Sequence, residues 1–316
     1  MNKLNLILIN LIIVFIFISC DDNPKITDQM LDGSVIMDSS IINPENYLLS
    51  YKYPNPTDEQ LNTPVIITVH GFSASTFEWD EFKDYLTNTQ SNILNSQVLL
   101  GAHGRSYEEF KSGSWQDWQA TIKEEYERLV DLGYKNISLA GASTACPLII
   151  DLFSKSYFQN KLIPKNIFFI DPIILPADKN LSLIGVIGPL IGFVDTEKSE
   201  ETLKYWYRYF PYQSMQELNT LINLVRGQLE DGVTLPNSTN MIVYKSTQDE
   251  AADPVSAVLI YKGIKLYNGK KIDVKMINSN IHVFTTLSVK KNLTANDFKN
   301  QLRTFEGMKN RILGVD

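Results

Sequence analysis

Cysteine is nearly absent from this chain. Only Cys20 and Cys146 occur in 316 residues, so no disulfide framework is available and stability must come from a packed core. A positive charge excess is also absent. Lys and Arg total 29 against 36 Asp and Glu, and the net charge of −7 gives no broad positive field for phosphate backbones, so no nucleic acid partner is expected. Histidine is scarce as well, with three residues, and no internal repeat is found. What is present is apolar material: 44% hydrophobic and 11% aromatic residues suffice to bury one large core in a single α/β domain.

Residues 4–18 (LNLILINLIIVFIFI) form an apolar run after Lys3, short for a membrane span and followed at once by Ser19, Cys20 and two aspartates. That is the pattern of a signal peptide covering residues 1–19. The stretch Phe17-Ile18-Ser19-Cys20 resembles a bacterial lipobox, with Phe17 where that motif usually carries Leu. The resemblance implies a lipid on the Cys20 thiol and an exported lipoprotein held at a membrane, on the periplasmic face or the cell surface. Residues 20–45 are polar and contain Pro24 and Pro44, as expected of a tether to a folded body spanning 46–316.

Within that body, short apolar runs at 65–69, 97–101, 137–140, 167–170, 241–244 and 274–277 alternate with longer amphipathic segments. The alternation predicts an α/β fold with a mostly parallel central sheet flanked by helices. One crossover helix is explicit: Ser114 caps it with Asp117 at the third position, and Trp115, Trp118, Ile122, Tyr126 and Leu129 recur at helical spacing as core residues. Residues 175–235 break the alternation. An apolar, Gly-rich piece (181–194), a charged aromatic segment (197–212) and a helix-like run (214–229) predict an inserted cap over a site.

The run 137–140 leads into Gly141-Ala142-Ser143-Thr144-Ala145, which resembles the nucleophile elbow G-x-S-x-G. An elbow serine sits on a strained strand-to-helix turn where side chains two positions away would collide, so small residues are needed there. Gly141 meets that demand, and Ala145 exceeds it by one methyl. Cys146 reads as a small buried residue without chemistry.

An acyl-transfer site also needs amide donors for a tetrahedral oxyanion. One candidate is the amide of Thr144. The other follows the strand at 65–69, where His70-Gly71-Phe72-Ser73 resembles an H-G-F oxyanion loop and offers the amide of Phe72. His70 reads as a brace for that turn rather than a base, and His103 as a loop histidine. Only His282 follows Ser143 in the chain; it comes after the last strand and a polar turn, where it reaches the C-terminal edge of the sheet. Asp249, after the strand at 241–244, suits the acid that orients an imidazole. Asp253 is its rival, though its place before Pro254 also suits a helix cap.

Together these residues resemble the α/β-hydrolase superfamily, in particular small bacterial carboxylesterases and monoacylglycerol-lipase-like serine hydrolases. The likeness runs from about Pro64 to the C-terminus and includes Gly133-Tyr134-Lys135 before the elbow strand and Asp249-Glu250 with Pro254, Ser256 and Ala257. It implies an α/β-hydrolase fold, a Ser143–Asp249–His282 triad, and an oxyanion hole at Phe72 and Thr144. It also implies hydrolysis of short to medium acyl esters with neither metal nor organic cofactor. Amidase, peptidase or acyltransferase chemistry on the same triad remains open. So does a non-catalytic surface lipoprotein that keeps the fold.

Overall fold

A computed structural model describes residues 36–315. The expected signal segment, Cys20 and the first part of the expected tether lie outside the described residues. Among the described residues no helix is long and apolar enough to cross a membrane.

The centre is a six-stranded sheet, every neighbouring pair parallel. In chain order its strands are β1 (Val65–Val69), β2 (Leu94–Val98), β3 (Ile137–Ala142) and β4 (Asn166–Ile170), then β8 (Asn240–Ser246) and β10 (Asp273–Ile277). Two short pairs lie outside it: β5 (Phe193–Asp195) with β6 (Tyr209–Pro211), and β7 (Val233–Thr234) with β9 (Ile264–Lys265). Across the central sheet the order is β10-β8-β4-β3-β1-β2. Helices longer than two turns are α1 (Asp80–Asn88), α2 (Trp115–Asp131), α3 (Ala145–Ser154), α4 (Ile184–Ile191), α5 (Tyr212–Asp231), α6 (Val255–Gly263) and α7 (Ala295–Leu313).

Both faces of the sheet are covered, which is why its inner strands read as continuous apolar runs rather than alternating ones. Val65, Ile67 and Val69 of β1 pack toward Trp118 and Ile122 of α2 and Ile149 of α3, while Ile66 packs toward Phe82 of α1 and Phe305 of α7. Each such buried side chain contributes roughly 1.5–3 kcal/mol. The Ser114 capping box forms as expected, and Trp115, Trp118, Ile122, Tyr126 and Leu129 are all buried.

Two boundaries differ from the sequence reading. The second strand is Leu94–Val98, three residues before the apolar run at 97–101. It is an edge strand whose polar side chains have buried partners: Ser96 Oγ donates to Glu125 (2.6 Å) and Gln97 Nε2 to Asp80 (2.8 Å). Leu99 and Leu100 are buried beyond the strand instead of in it. The described part of the expected tether, residues 36–45, packs on the body. Ile41 is buried, and the buried Asp38 carboxylate accepts the Ser75 hydroxyl at 2.7 Å, so this stretch is part of the body.

Between β4 and β8 the chain leaves the sheet. This insert holds α4, the β5–β6 ribbon and α5, and is bonded to the body where Tyr207 N–H donates to Ser73 O (3.0 Å) and Ser214 Oγ to Phe110 O (2.6 Å). α4 is apolar on both sides: Ile184 is buried, while Val186 and Leu190 are 76% and 87% exposed.

Candidate active site

In parallel sheets, functional groups collect beyond the C-terminal ends of the strands. Here five strands converge in that way. β1 leads to Gly71 and Phe72, β3 to Ser143, β4 to Asp171, β8 to Asp249, and β10 to His282.

Ser143 occupies the turn between β3 and α3 with φ of 48°, a left-handed backbone that is uncommon for a side-chain-bearing residue. Crowding explains the small residues around it. A Cβ on Gly141 would stand 3.2 Å from the Ala145 Cβ and 3.1 Å from Ile149 Cδ1, and a Cβ on Gly71 would stand 2.9 Å from the Ser143 Cβ. Ser73, Asp171 and Val283 also have positive φ and flank the same centre. Strain concentrated in this way is a mark of functional sites, at about 1–3 kcal/mol for each such residue.

His282 Nε2 lies 3.0 Å from Ser143 Oγ, and its Nδ1 lies 2.8 Å from Asp249 Oδ2. Asp249 is buried and its other oxygen accepts the amides of Ala251 (2.8 Å) and Ala252 (3.0 Å). Burial alone would raise its pKa. That effect is outweighed by the hydrogen bond and charge of His282 and by Lys245, which hold the carboxyl well below the usual range. The structure thus brings Asp249 to the imidazole. Asp253 turns elsewhere, its Oδ1 accepting the Val255 amide at 2.8 Å at the start of α6.

The amides of Phe72 and Thr144 have no acceptor among the described residues, and both residues line a cavity of about 430 Å³ with Ser143 and His282. The Phe72 ring is wedged between Phe110, Trp118 and Phe210, which fixes its loop. His70 braces that loop as expected: Nδ1 lies 2.8 Å from Gly71 O and Nε2 accepts the Leu100 amide at 3.0 Å. Burial lowers its pKa to about 4, and that of His103 to about 3. Cys146 is buried with Sγ 3.2 Å from Gly141 O, and burial pushes its thiol up.

Several polar residues at this centre escaped the sequence reading. Glu78 is buried and its Oε1 accepts the Gly71 amide at 2.7 Å, with burial raising its pKa. Asp171 accepts the amides of Ser246 (2.7 Å) and Val283 (2.9 Å), so it holds the backbone next to His282. Lys245, fully buried in β8, reaches Asp249 directly and Asp171 at 3.4 Å. Asp171, Asp249 and His282 present ligand atoms within 4.8 Å of one another, a spacing that suits a metal ion. The Lys245 ammonium bonds to both carboxylates, however, and supplies the cation there itself. A lysine at the end of the apolar run Met241-Ile242-Val243-Tyr244 was the available signal.

The insert supplies the apolar wall. Leu181, Ile184, Ile187, Ile191 and Val194 line the cavity, opposite the loops that carry Ser143 and His282.

No family model and no curated protein matches the sequence. Solved structures do resemble it. One belongs to the metagenome-derived lipolytic enzymes LipS and LipT, with 16% identity over 80% of this chain and 94% of that one and a TM-score of 0.64. A soluble variant of the monoglyceride lipase from Saccharomyces cerevisiae, in complex with a substrate analogue, has 11% identity over 82% and 88% of the two chains and a TM-score of 0.60. The monoacylglycerol lipase of Paleococcus ferrophilus has 12% identity over 81% and 97% and a TM-score of 0.59. At these identities the fold is what is shared, and it is the α/β-hydrolase fold.

Proposed function

We propose that the chain is a serine hydrolase that cleaves carboxylic esters of short to medium acyl chains through a covalent acyl-enzyme. The observation that carries this reading is the relay from Ser143 Oγ through His282 to Asp249, with steps of 3.0 and 2.8 Å, set on a left-handed serine. His282 Nε2 takes the Ser143 proton as Oγ attacks the ester carbonyl, and Asp249 stabilises the imidazolium that forms. The oxyanion is received by the Phe72 and Thr144 amides, each such donor being worth about 3 kcal/mol. The carbonyl re-forms, the alcohol leaves with the proton from His282, and the acyl group stays on Ser143. Water then gives a proton to His282, attacks the acyl carbonyl and releases the acid, which restores Ser143.

The apolar wall from the insert supports an acyl chain as the occupant of the cavity. The lipolytic and monoacylglycerol lipase structures with this fold are consistent with that choice. The test is kcat/KM on p-nitrophenyl esters from acetate to palmitate, with monoacyl and triacyl glycerols alongside. Ser143→Ala should abolish turnover and labelling by a fluorophosphonate. Asp249→Asn should cost on the order of 10⁴-fold, as in the serine protease precedent, and Asp253→Asn little. A preference for long triacylglycerols, or amide cleavage without ester cleavage, would overturn the substrate assignment.

A further inference from the structure

Lys290, in the loop between β10 and α7, lines the same cavity as Ser143 and His282. Its side chain is half-buried, and desolvation pulls its pKa below the ordinary lysine range. Among the described residues it has no hydrogen-bond or ion-pair partner. A charge that is partly desolvated and has no partner is costly.

The acids whose charge reaches Lys290 are Glu78, Asp171, Asp249 and Glu81, and each is engaged elsewhere. Glu78 receives the Gly71 amide, and Asp171 those of Ser246 and Val283. Asp249 holds His282 and Lys245. Glu81 accepts the amides of Leu287 (2.9 Å) and Ser288 (2.7 Å). None of them stands within ion-pair distance of the Lys290 ammonium. A second ammonium comes from the insert. Lys198 lies 4.6 Å over the ring of Phe210, another lining residue, and donates only to Thr196 Oγ1 at 2.5 Å. Burial and the charge of Lys290 lower its pKa to about 8. The cavity therefore has an apolar wall and, among its lining residues, the Lys290 ammonium, which makes no ion pair among the described residues.

We propose that the ester this site accepts carries an anionic group, a carboxylate or a phosphate, and that Lys290 binds that group. This deepens the ester-hydrolase reading and rests on it. An anion seated there would gain a charge-assisted hydrogen bond and relieve the unpaired ammonium. A neutral ester would leave the ammonium as it is.

The test compares anionic esters with neutral counterparts of similar shape. Para-butyryloxybenzoate and para-butyryloxyphenyl phosphate are set against para-butyryloxybenzamide, and the p-nitrophenyl hemiester of glutarate against p-nitrophenyl valerate. At least one anionic ester should be favoured by about tenfold in kcat/KM, the amount expected of one hydrogen bond to a charged group. The member that wins distinguishes carboxylate from phosphate. Lys290→Met should remove the preference and Lys290→Arg should restore most of it. Equal kcat/KM for every pair, or a preference that Lys290→Met leaves intact, overturns the proposal.

Binding to the Ser143→Ala protein by calorimetry separates this from the parent reading. If the Ser143→Ala protein binds the anionic ester more tightly than its neutral counterpart while the wild type turns over neither, the hydrolase reading falls and the anion site stands. Turnover of neutral and anionic esters alike sinks the anion site alone.

Discussion

Lys245 stands where a lysine is hardest to accommodate, in the interior of β8 with no exposed surface, and the reason is the pair of carboxylates it touches. Asp171 and Asp249 approach closely enough that, without a cation between them, one would take up a proton. Burial already pushes the Asp171 carboxyl above its usual range, opposed by Lys245. With both acids ionised and Lys245 protonated, the cluster carries one negative charge, which an imidazolium at His282 neutralises. Lys245 thus supports the reaction through Asp249 without touching substrate. Lys245→Met should cost about 3–5 kcal/mol of stability, as removal of one partner from a buried ion pair does. It should also lower kcat by more than tenfold, through the lost orientation of His282. Urea unfolding and steady-state kinetics on the same preparation check both, and a variant of unchanged stability and kcat would show the lysine to be a bystander.

The β3–turn–α3 unit shows how local crowding sets the sequence around Ser143. Gly141 and Ala145 face each other across the turn, and a methyl on Gly141 would press on the Ala145 Cβ and backbone and on Ile149. Gly141→Ala should therefore destabilise by about 1–3 kcal/mol, the usual range for overpacking. Ala145→Gly, which loses a buried methyl at a cost of about 1 kcal/mol by itself, should recover part of the Gly141→Ala loss in the double variant. A double-mutant cycle on unfolding free energy measures the coupling, and strict additivity would mean that the two positions do not compete for space. This unit was legible in the sequence because small residues at fixed spacing have one physical cause. Strands β1, β3, β4 and β8 were legible for a similar reason, since burial on both faces leaves an apolar run, whereas β10 is an edge strand with Lys275 and Met276 exposed. β2 was not, because Ser96 and Gln97 are buried through partners on other elements, and an apolar window falls instead on the buried loop after it. Ser143, Asp249 and His282 could be placed by chain order and strand ends. Glu78, Asp171 and Lys290 could not, since their meaning lies in what they face in the fold and nothing local to them says so, and for Lys245 the local signal was its place at the end of an apolar run.

The whole molecule keeps two of its three histidines neutral inside the body, and this sets how its stability responds to acid. His103 packs its ring against Phe110 and Trp118 with centroids 4.8 and 5.2 Å away, and its Nε2 has no partner among the described residues. In the unfolded chain it takes up a proton near pH 6.5, whereas in the fold burial lowers its pKa to about 3 and that of His70 to about 4. The unfolded state then binds more protons between those limits. Stability from these groups is present above about pH 6.5 and is lost as the pH falls, at up to about 1.4 kcal/mol per histidine per pH unit. Glu78, Glu125 and Asp171, raised by burial, act in the opposite direction as they protonate. A single variant isolates the histidine contribution from theirs. His103→Phe fills the same aromatic slot without a titrating group, so its unfolding free energy should fall less than that of the wild type between pH 7.5 and 5.0, by about 2 kcal/mol. Urea titrations of both proteins at the two pH values measure that difference directly. Equal falls would mean that His103 gains its proton in the folded state as readily as in the unfolded one, and that the interior around Trp118 admits a charge although only Nδ1, 3.0 Å from Gly101 O, has a partner there.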